Sequence, residues 1–309
     1  MEGSIGSPLM WAVFTGFILA MLALDLGVFH RKSHVVTTRE ALGWSMVWIA
    51  LSLGFNAWIY FAHGATKALE FLTGYLIEKS LSVDNIFVFV LVFTFFAVPP
   101  LYHHRVLFWG VLGALVMRTI FIITGAALLE RFHWIIYVFG AFLVVTGIKM
   151  LLQKEHGVHP ENNPLVKLVR KTLPITNDYR GEKFFVREAG RRMGTPLFIV
   201  LVTIEFTDLI FAVDSIPAIF AVTRDPFIVY TSNIFAILGL RSLYFLLAGI
   251  IDKFHYLKAG LALVLAFVGM KMLIMGVYKI PIGLSLAVVA LLIAGSVVAS
   301  LVFPKKTAK

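Results

Sequence analysis

Two stretches of this sequence set carboxylates inside long apolar runs. The first carries Glu78, Lys79, Ser82, Asp84 and Asn85; the second carries Glu205, Asp208, Asp214, Ser215 and Pro217. Aligning Asp84 with Asp214 puts Glu78 on Asp208, so each copy reads as an acid, five residues ending in Val, then Asp. A carboxylate within a membrane span costs about 2.5 kcal/mol or more even on the mildest scale, and is therefore rarely idle. The carboxylates, the Asn85 amide and the hydroxyls of Ser82, Thr207 and Ser215 are hard oxygen donors, suited to Mg²⁺, Ca²⁺ or Mn²⁺. The chain has no cysteine and no histidine in the middle of an apolar run, which argues against Zn²⁺, Cu⁺ and Ni²⁺. Carboxylate ligands must shed protons before they bind metal, so coupling to proton movement belongs to the same expectation.

Helical geometry limits how these groups meet. Glu78, Ser82 and Asn85 share a face at i, i+4 and i+7, as do Glu205, Asp208 and Ala212 at i, i+3 and i+7. Asp84 lies about 120° round from Glu78 and about 9 Å along the axis. Both acids of one copy reach one site only if the helix breaks or the other copy supplies the missing side. Pro217 offers a break beside Asp214, because proline has no N–H for the Val213 carbonyl. Basic residues also fall within apolar runs: Lys79, Arg118, Lys149, Arg241 and Lys271. Some of these are candidate counter-ions; others can extend to the membrane boundary. Lys79 diverges from Glu78 by about 100° on a helix, so the two need not pair. Two readings stay open here: a bound cation that offsets the surplus acids, or an internal salt-bridge network.

The elements that must position these groups are membrane helices. Hydrophobic residues are 60% of the 309 and charged residues 14%, with a mean hydropathy of +0.90, which excludes an ordinary soluble domain. The fold class is an all-α polytopic membrane protein with about nine spans of roughly 20 residues. The spans are expected at 8–29, 41–62, 71–96, 105–129, 134–152, 196–222, 227–250, 255–276 and 281–303. The first has no basic stretch before it and no small-x-small cleavage site, so it reads as retained.

The duplication extends past the acids. The run from Ala126 to Trp134 resembles Ala248 to Tyr256, and Gly147-Ile148-Lys149-Met150 resembles Gly269-Met270-Lys271-Met272. Each copy is then three spans. Because three is odd, the second copy enters the membrane inverted, an arrangement that secondary transporters use to build a site where the copies meet. The expected organisation is two N-terminal spans in 1–62, a first repeat in 63–152, a polar loop in 153–195, a second repeat in 196–276, and a last span with a basic tail in 277–309.

With the N-terminus outside, the inner segments carry 18 Lys and Arg and the outer ones 4. That bias places the N-terminus outside and the C-terminus in the cytoplasm. It also attributes the net charge of +10 to topology and to the anionic leaflet rather than to nucleic acid. The 153–195 loop is too small and polar for a core of its own. It contains an extended run at Lys183–Arg187, and its His156 and His159 read as solvated loop residues.

The segment from Glu78 to Asn85, together with Phe206 to Thr223, resembles the TerC family of bacterial membrane proteins. Phe71 to Lys79, Asp225 to Val229 and Ser232 to Arg241 extend the resemblance, which runs from about residue 8 to 285. The resemblance implies an inner-membrane protein that exports Mn²⁺, with Glu78, Asp84, Glu205, Asp208 and Asp214 as the acids that matter. Around them, Asn85 completes the expected metal set, with Ser82, Lys79, Ser215, Pro217, Arg118 and Arg241 in support. A divalent ion and the lipid bilayer are the expected partners, with no organic cofactor. An intramembrane aspartyl hydrolase is disfavoured, since neither Asp sits in a Gly-x-Gly-Asp context, and no enzyme is expected. A different class is kept as the alternative: a scaffold or assembly factor, for metal loading or insertion of other proteins, whose acids only hold helices together.

The charge count makes one expectation directly testable. A single cysteine at Glu182, introduced into this cysteine-free chain, should react with an impermeant thiol reagent only after cells are lysed. Reaction in intact cells would reverse the orientation.

Overall fold

The computed structural model describes residues 4–24, 36–132, 134–152, 171, 173–188, 190–248 and 256–303, apart from the side chains of Leu24, Val83, Asp84 and Phe87. In chain order the helices are α1 Pro8–Leu24, α2 Thr38–His63, α3 Ala65–Phe95, α4 Pro100–Arg131, α5 Ile135–Leu152, α6 Pro196–Phe220, α7 Pro226–Leu238, α8 Leu240–Leu247, α9 Leu257–Ile274 and α10 Ile282–Val302. Between α5 and α6, β1 Phe185–Glu188 and β2 Arg191–Gly194 form an antiparallel hairpin. Apolar segments take this form because, in lipid, a helix satisfies its own backbone groups. Prolines open α4, α6 and α7, where the missing N–H costs nothing.

Seven segments among the described residues are long and apolar enough to cross a membrane: α2, α4, α5, α6, α7 with α8, α9 and α10. The other two expected spans fall on α1, which has 17 residues, and on α3, which has 31 and includes Glu78, Lys79 and Asp84. His156 and His159 lie outside the described residues.

Two local expectations are corrected. α6 runs unbroken across Pro217. Packing of α6 against both α3 and α4 outweighs the one backbone bond that proline removes. The break falls instead at Gly239, which splits the expected 227–250 span into α7 and α8. A Cβ on Gly239 would come within 2.5 Å of the Lys79 Nζ. That ammonium donates to the Ala236 carbonyl at 3.3 Å, in the last turn of α7, where helix-end carbonyls need donors.

α3 packs on α6 and α7, and α4 packs on the same two helices. α5 and α9 make the most extensive helix pair. A Cβ on Gly140 would lie 2.9 Å from the Gly269 carbonyl oxygen, and one on Gly147 would lie 2.6 Å from that of Ala262. Residue numbers rise along one helix as they fall along the other, so the two cross antiparallel, backbone against backbone. Small residues permit this approach, which in lipid replaces the missing hydrophobic drive.

The hairpin is docked rather than free. The Tyr179 hydroxyl donates to the Phe96 carbonyl at 2.7 Å, and burial pushes that phenol up to about 12. It therefore stays a donor across the physiological range. Arg105 of α4 pairs with Glu182 at 3.3 Å, and the Thr195 N–H donates to the Phe184 carbonyl at 3.0 Å. Near the start of α7, Asp225 accepts from the Ser4 hydroxyl (2.8 Å), the Ile5 N–H (2.9 Å) and the Phe227 N–H (3.0 Å). The N-terminal segment is fastened to the α6–α7 turn by these bonds.

The α5–α9 crossing yields a prediction. Gly269→Leu should destabilise the protein by about 1–3 kcal/mol through overpacking, whereas Gly16→Leu, whose site has nothing within 4 Å, should not. Thermal unfolding in detergent measures both; equal melting temperatures would place the crossing elsewhere.

Candidate functional site

The fold brings one guanidinium to the meeting point of four helices. Arg118 of α4 forms an ion pair with Glu78 of α3. It also grips Asp208 of α6 with two bonds, Nε to Oδ2 at 3.2 Å and Nη2 to Oδ1 at 3.0 Å. Its Nη1 reaches the Ser215 hydroxyl at 3.3 Å and the Asn233 Oδ1 at 3.4 Å. Asn233 of α7 donates its own Nδ2 to Glu78 at 2.9 Å, and Asn85 donates to Asp208 at 3.1 Å. The Ser82 hydroxyl completes the ring, donating to Glu78 at 3.4 Å. Glu78, Ser82, Asn85, Arg118, Asp208, Ser215 and Asn233 are all at most 3% exposed.

Local geometry explains the assembly. Glu78, Ser82 and Asn85 share one face of α3 and all point into this centre, as their spacing requires. Asp208 and Ser215, seven apart, do the same on α6. Arginine is always charged, so it is buried here only because two carboxylates face it. Its planar fork lets one side chain bridge acids on separate helices, which a lysine could not copy. The Oδ1 of Asn85 is buried without a hydrogen-bond partner, leaving one acceptor in the cluster open.

Of the expected metal set, Glu78, Asn85 and Asp208 come together, with Ser82, Ser215 and Arg118 from the supporting group. The described hydrogen bonds do not join Glu205 or Asp214 to them. Glu205 is half-buried on α6 against α4, where a Cβ on Gly113 would overlap its carboxylate. Asp214 is half-buried too, with Thr146 of α5 as a side-chain partner. The side chain of Asp84 lies outside the described residues, although its backbone belongs to α3. Lys79 diverges from Glu78 as its spacing predicts, and Arg241 is buried in α8. Lys149 is exposed on α5, while Lys271 on α9 is buried. Among the described residues no group of three or more His, Asp and Glu is placed to hold a metal.

Sequence reasoning missed Asn233. The signal was there: Thr231, Ser232 and Asn233 form a polar triplet inside a membrane-length apolar segment, where an amide needs a partner.

Residues 63–308, most of the chain, match the family described as integral membrane protein TerC. The chain belongs to the TerC family. TerC relatives cover it almost end to end. One from Myxococcus xanthus, named "Uncharacterized membrane protein STKORF319", is 58% identical over 97% of this chain and 94% of its own. Another, from Escherichia coli K12, is named "Putative membrane-bound redox modulator Alx" and is 52% identical over 93% of this chain and 92% of its own. A membrane protein of Rickettsia bellii is 44% identical over 94% of this chain. No solved structure matches. This TerC protein is therefore an integral membrane protein with bacterial relatives.

The centre predicts a specific stability pattern. Arg118→Gln should lower the unfolding free energy by about 3–5 kcal/mol, because it strands two buried acids. Adding Glu78→Gln and Asp208→Asn should recover part of that loss. Additive losses in a thermal-unfolding mutant cycle would show that the three groups do not act as a unit.

Proposed function

We propose that this TerC protein exports a divalent cation, Mn²⁺, across the bacterial inner membrane, and that it acts as a transporter rather than an enzyme. One observation carries the reading. Glu78 and Asp208, which occupy matching positions in the two acidic stretches, meet on a single buried cation. Here that cation is the side chain of Arg118. The position thus favours positive charge, and the surrounding oxygens of Ser82, Asn85, Ser215 and Asn233 are donors that suit a hard ion.

In this reading the guanidinium holds α3 and α6 together while no metal is bound. An arriving ion competes with Arg118 for the carboxylates, and Glu205, Asp214 and Asp84 are the further acids along the same helices. Each carboxylate must lose a proton before it ligates, so ion and proton movements are linked. The charge bias supports a cytoplasmic 153–195 loop and C-terminus.

Two inverted three-span repeats, α3–α5 and α6–α9 with α7 and α8 as one span, belong to the proposal. They are supported by the α5–α9 crossing. If Gly147 corresponds to Gly269, then Gly140 corresponds to Ala262, and the Gly140–Gly269 contact becomes the Ala262–Gly147 contact when the copies are exchanged. Likewise Gly147 against Ala266 becomes Gly269 against Val144, at 2.9 Å and 2.8 Å from the respective backbone nitrogens. A two-fold axis across the helix pair accounts for both.

A second reading, a membrane scaffold, is favoured by how fully Arg118 satisfies Glu78 and Asp208 without metal. The relatives' name adds a redox role, but the chain has no cysteine, so thiol exchange is not its route. Vesicles reconstituted with the purified protein separate the readings. Asp84→Asn and Asp214→Asn should abolish Mn²⁺ flux while the protein still inserts and accumulates, and Mn²⁺ should raise the melting temperature of the wild type only. Failure of either variant to accumulate would favour the scaffold; undiminished flux would remove that residue from the path.

A further inference from the structure

The hairpin between α5 and α6 carries a feature that export does not use. An open cavity of about 840 Å³ is lined by Arg180, Lys183, Arg187 and Arg192, with Glu188 and Phe185 among them. Four cations thus face one carboxylate, and that carboxylate is already engaged: Arg180 Nε donates to Glu188 Oε1 at 2.7 Å. The strand register sets Arg187 directly opposite Arg192. Like charges on a cross-strand pair destabilise a sheet, so a two-stranded hairpin gains from an anion placed between them.

The cavity is preformed and sits at the edge of the membrane-spanning region. The Arg192 guanidinium lies 4.4 Å from the Phe185 ring centroid, which holds it over the hairpin face. Phe185 in turn packs against Phe198, in the first turn of α6, at 4.5 Å between centroids. Tyr179 and Glu182 tie the same segment to the end of α3 and the start of α4. A ligand here has one side toward water and one side within a turn of a lipid-spanning helix.

We propose that this cavity binds the phosphate of an anionic phospholipid headgroup. Guanidinium forks match phosphate oxygens in pairs, and basic pockets at the ends of membrane helices hold such headgroups. The lipid is favoured over a soluble phosphate because Phe185, which lines the cavity, packs on Phe198 in the first turn of α6 and so sets an apolar ring contact beside the cations. The assignment does not depend on which leaflet the hairpin faces, nor on the cation that the protein moves.

The test uses the full-length protein in detergent, incubated with equal amounts of phosphatidylglycerol and phosphatidylcholine and read by native mass spectrometry. The wild type should retain phosphatidylglycerol preferentially. Arg187→Gln combined with Arg192→Gln should reduce that preference on the order of tenfold or more while the melting temperature is unchanged. Glu188→Gln, which removes the one carboxylate among the lining residues, should strengthen it. Equal retention of the two lipids by the wild type, or an undiminished preference in the double variant, would overturn the proposal. Loss of the preference on adding millimolar inorganic phosphate would overturn the lipid assignment in favour of a soluble anion. Manganese flux is no readout here, so either result leaves the export reading untouched.

Discussion

The burial of one guanidinium organises the core of this protein. Arg118 is among the largest fully buried side chains, and removing such a charge from water costs several kcal/mol even after relaxation. That cost is offset only while Glu78 and Asp208 face it with good geometry and the remaining donors find Ser215 and Asn233. The four helices that supply these groups, α3, α4, α6 and α7, cannot slide by a turn relative to one another without stranding a charge. Apolar packing holds these helices in contact but tolerates many registers, and the Arg118 network selects one.

Much of the scaffold was legible in the sequence because lipid imposes so few solutions. Apolar runs of roughly 20 residues report membrane helices whatever their neighbours, and the face shared by Glu78, Ser82 and Asn85 follows from 3.6-residue periodicity alone. The pairing of those residues was not legible. Arg118 lies 40 residues from Glu78 and 90 from Asp208, and nothing in local spacing says which of five intramembrane bases will face which acid. The same limit hid Asn233, whose partner is 155 residues away. Pro217 misled for a related reason: its local preference is to interrupt a helix, but α6 is packed on two sides and continues. Gly239 was overlooked because a lone glycine in an apolar run is a weak signal until Lys79 is seen against it.

The proposed repeat makes the asymmetry of this centre informative. Glu78 and Asp208 are matching positions, and so are Asn85 and Ser215, yet each pair contributes to one cluster rather than to two. A second alignment, of Val111–Thr119 with Ile234–Ser242, sets Arg118 on Arg241 and Gly110 on Asn233. Only Arg118 occupies the shared position, and the copy that supplies it has glycine where the other has the asparagine that holds Glu78. Two symmetric arginines at that point would repel each other in a low-dielectric core, so one copy must yield it. The proposed duplication thus supplies paired carboxylates, while a single guanidinium between them leaves the pair short by one positive charge when both are ionised. A divalent cation that replaced Arg118 would bring two charges where the side chain brings one, matching the two carboxylates. In the proposed export reading, that difference in charge is the physical ground on which an ion would displace a residue that otherwise locks the helices together.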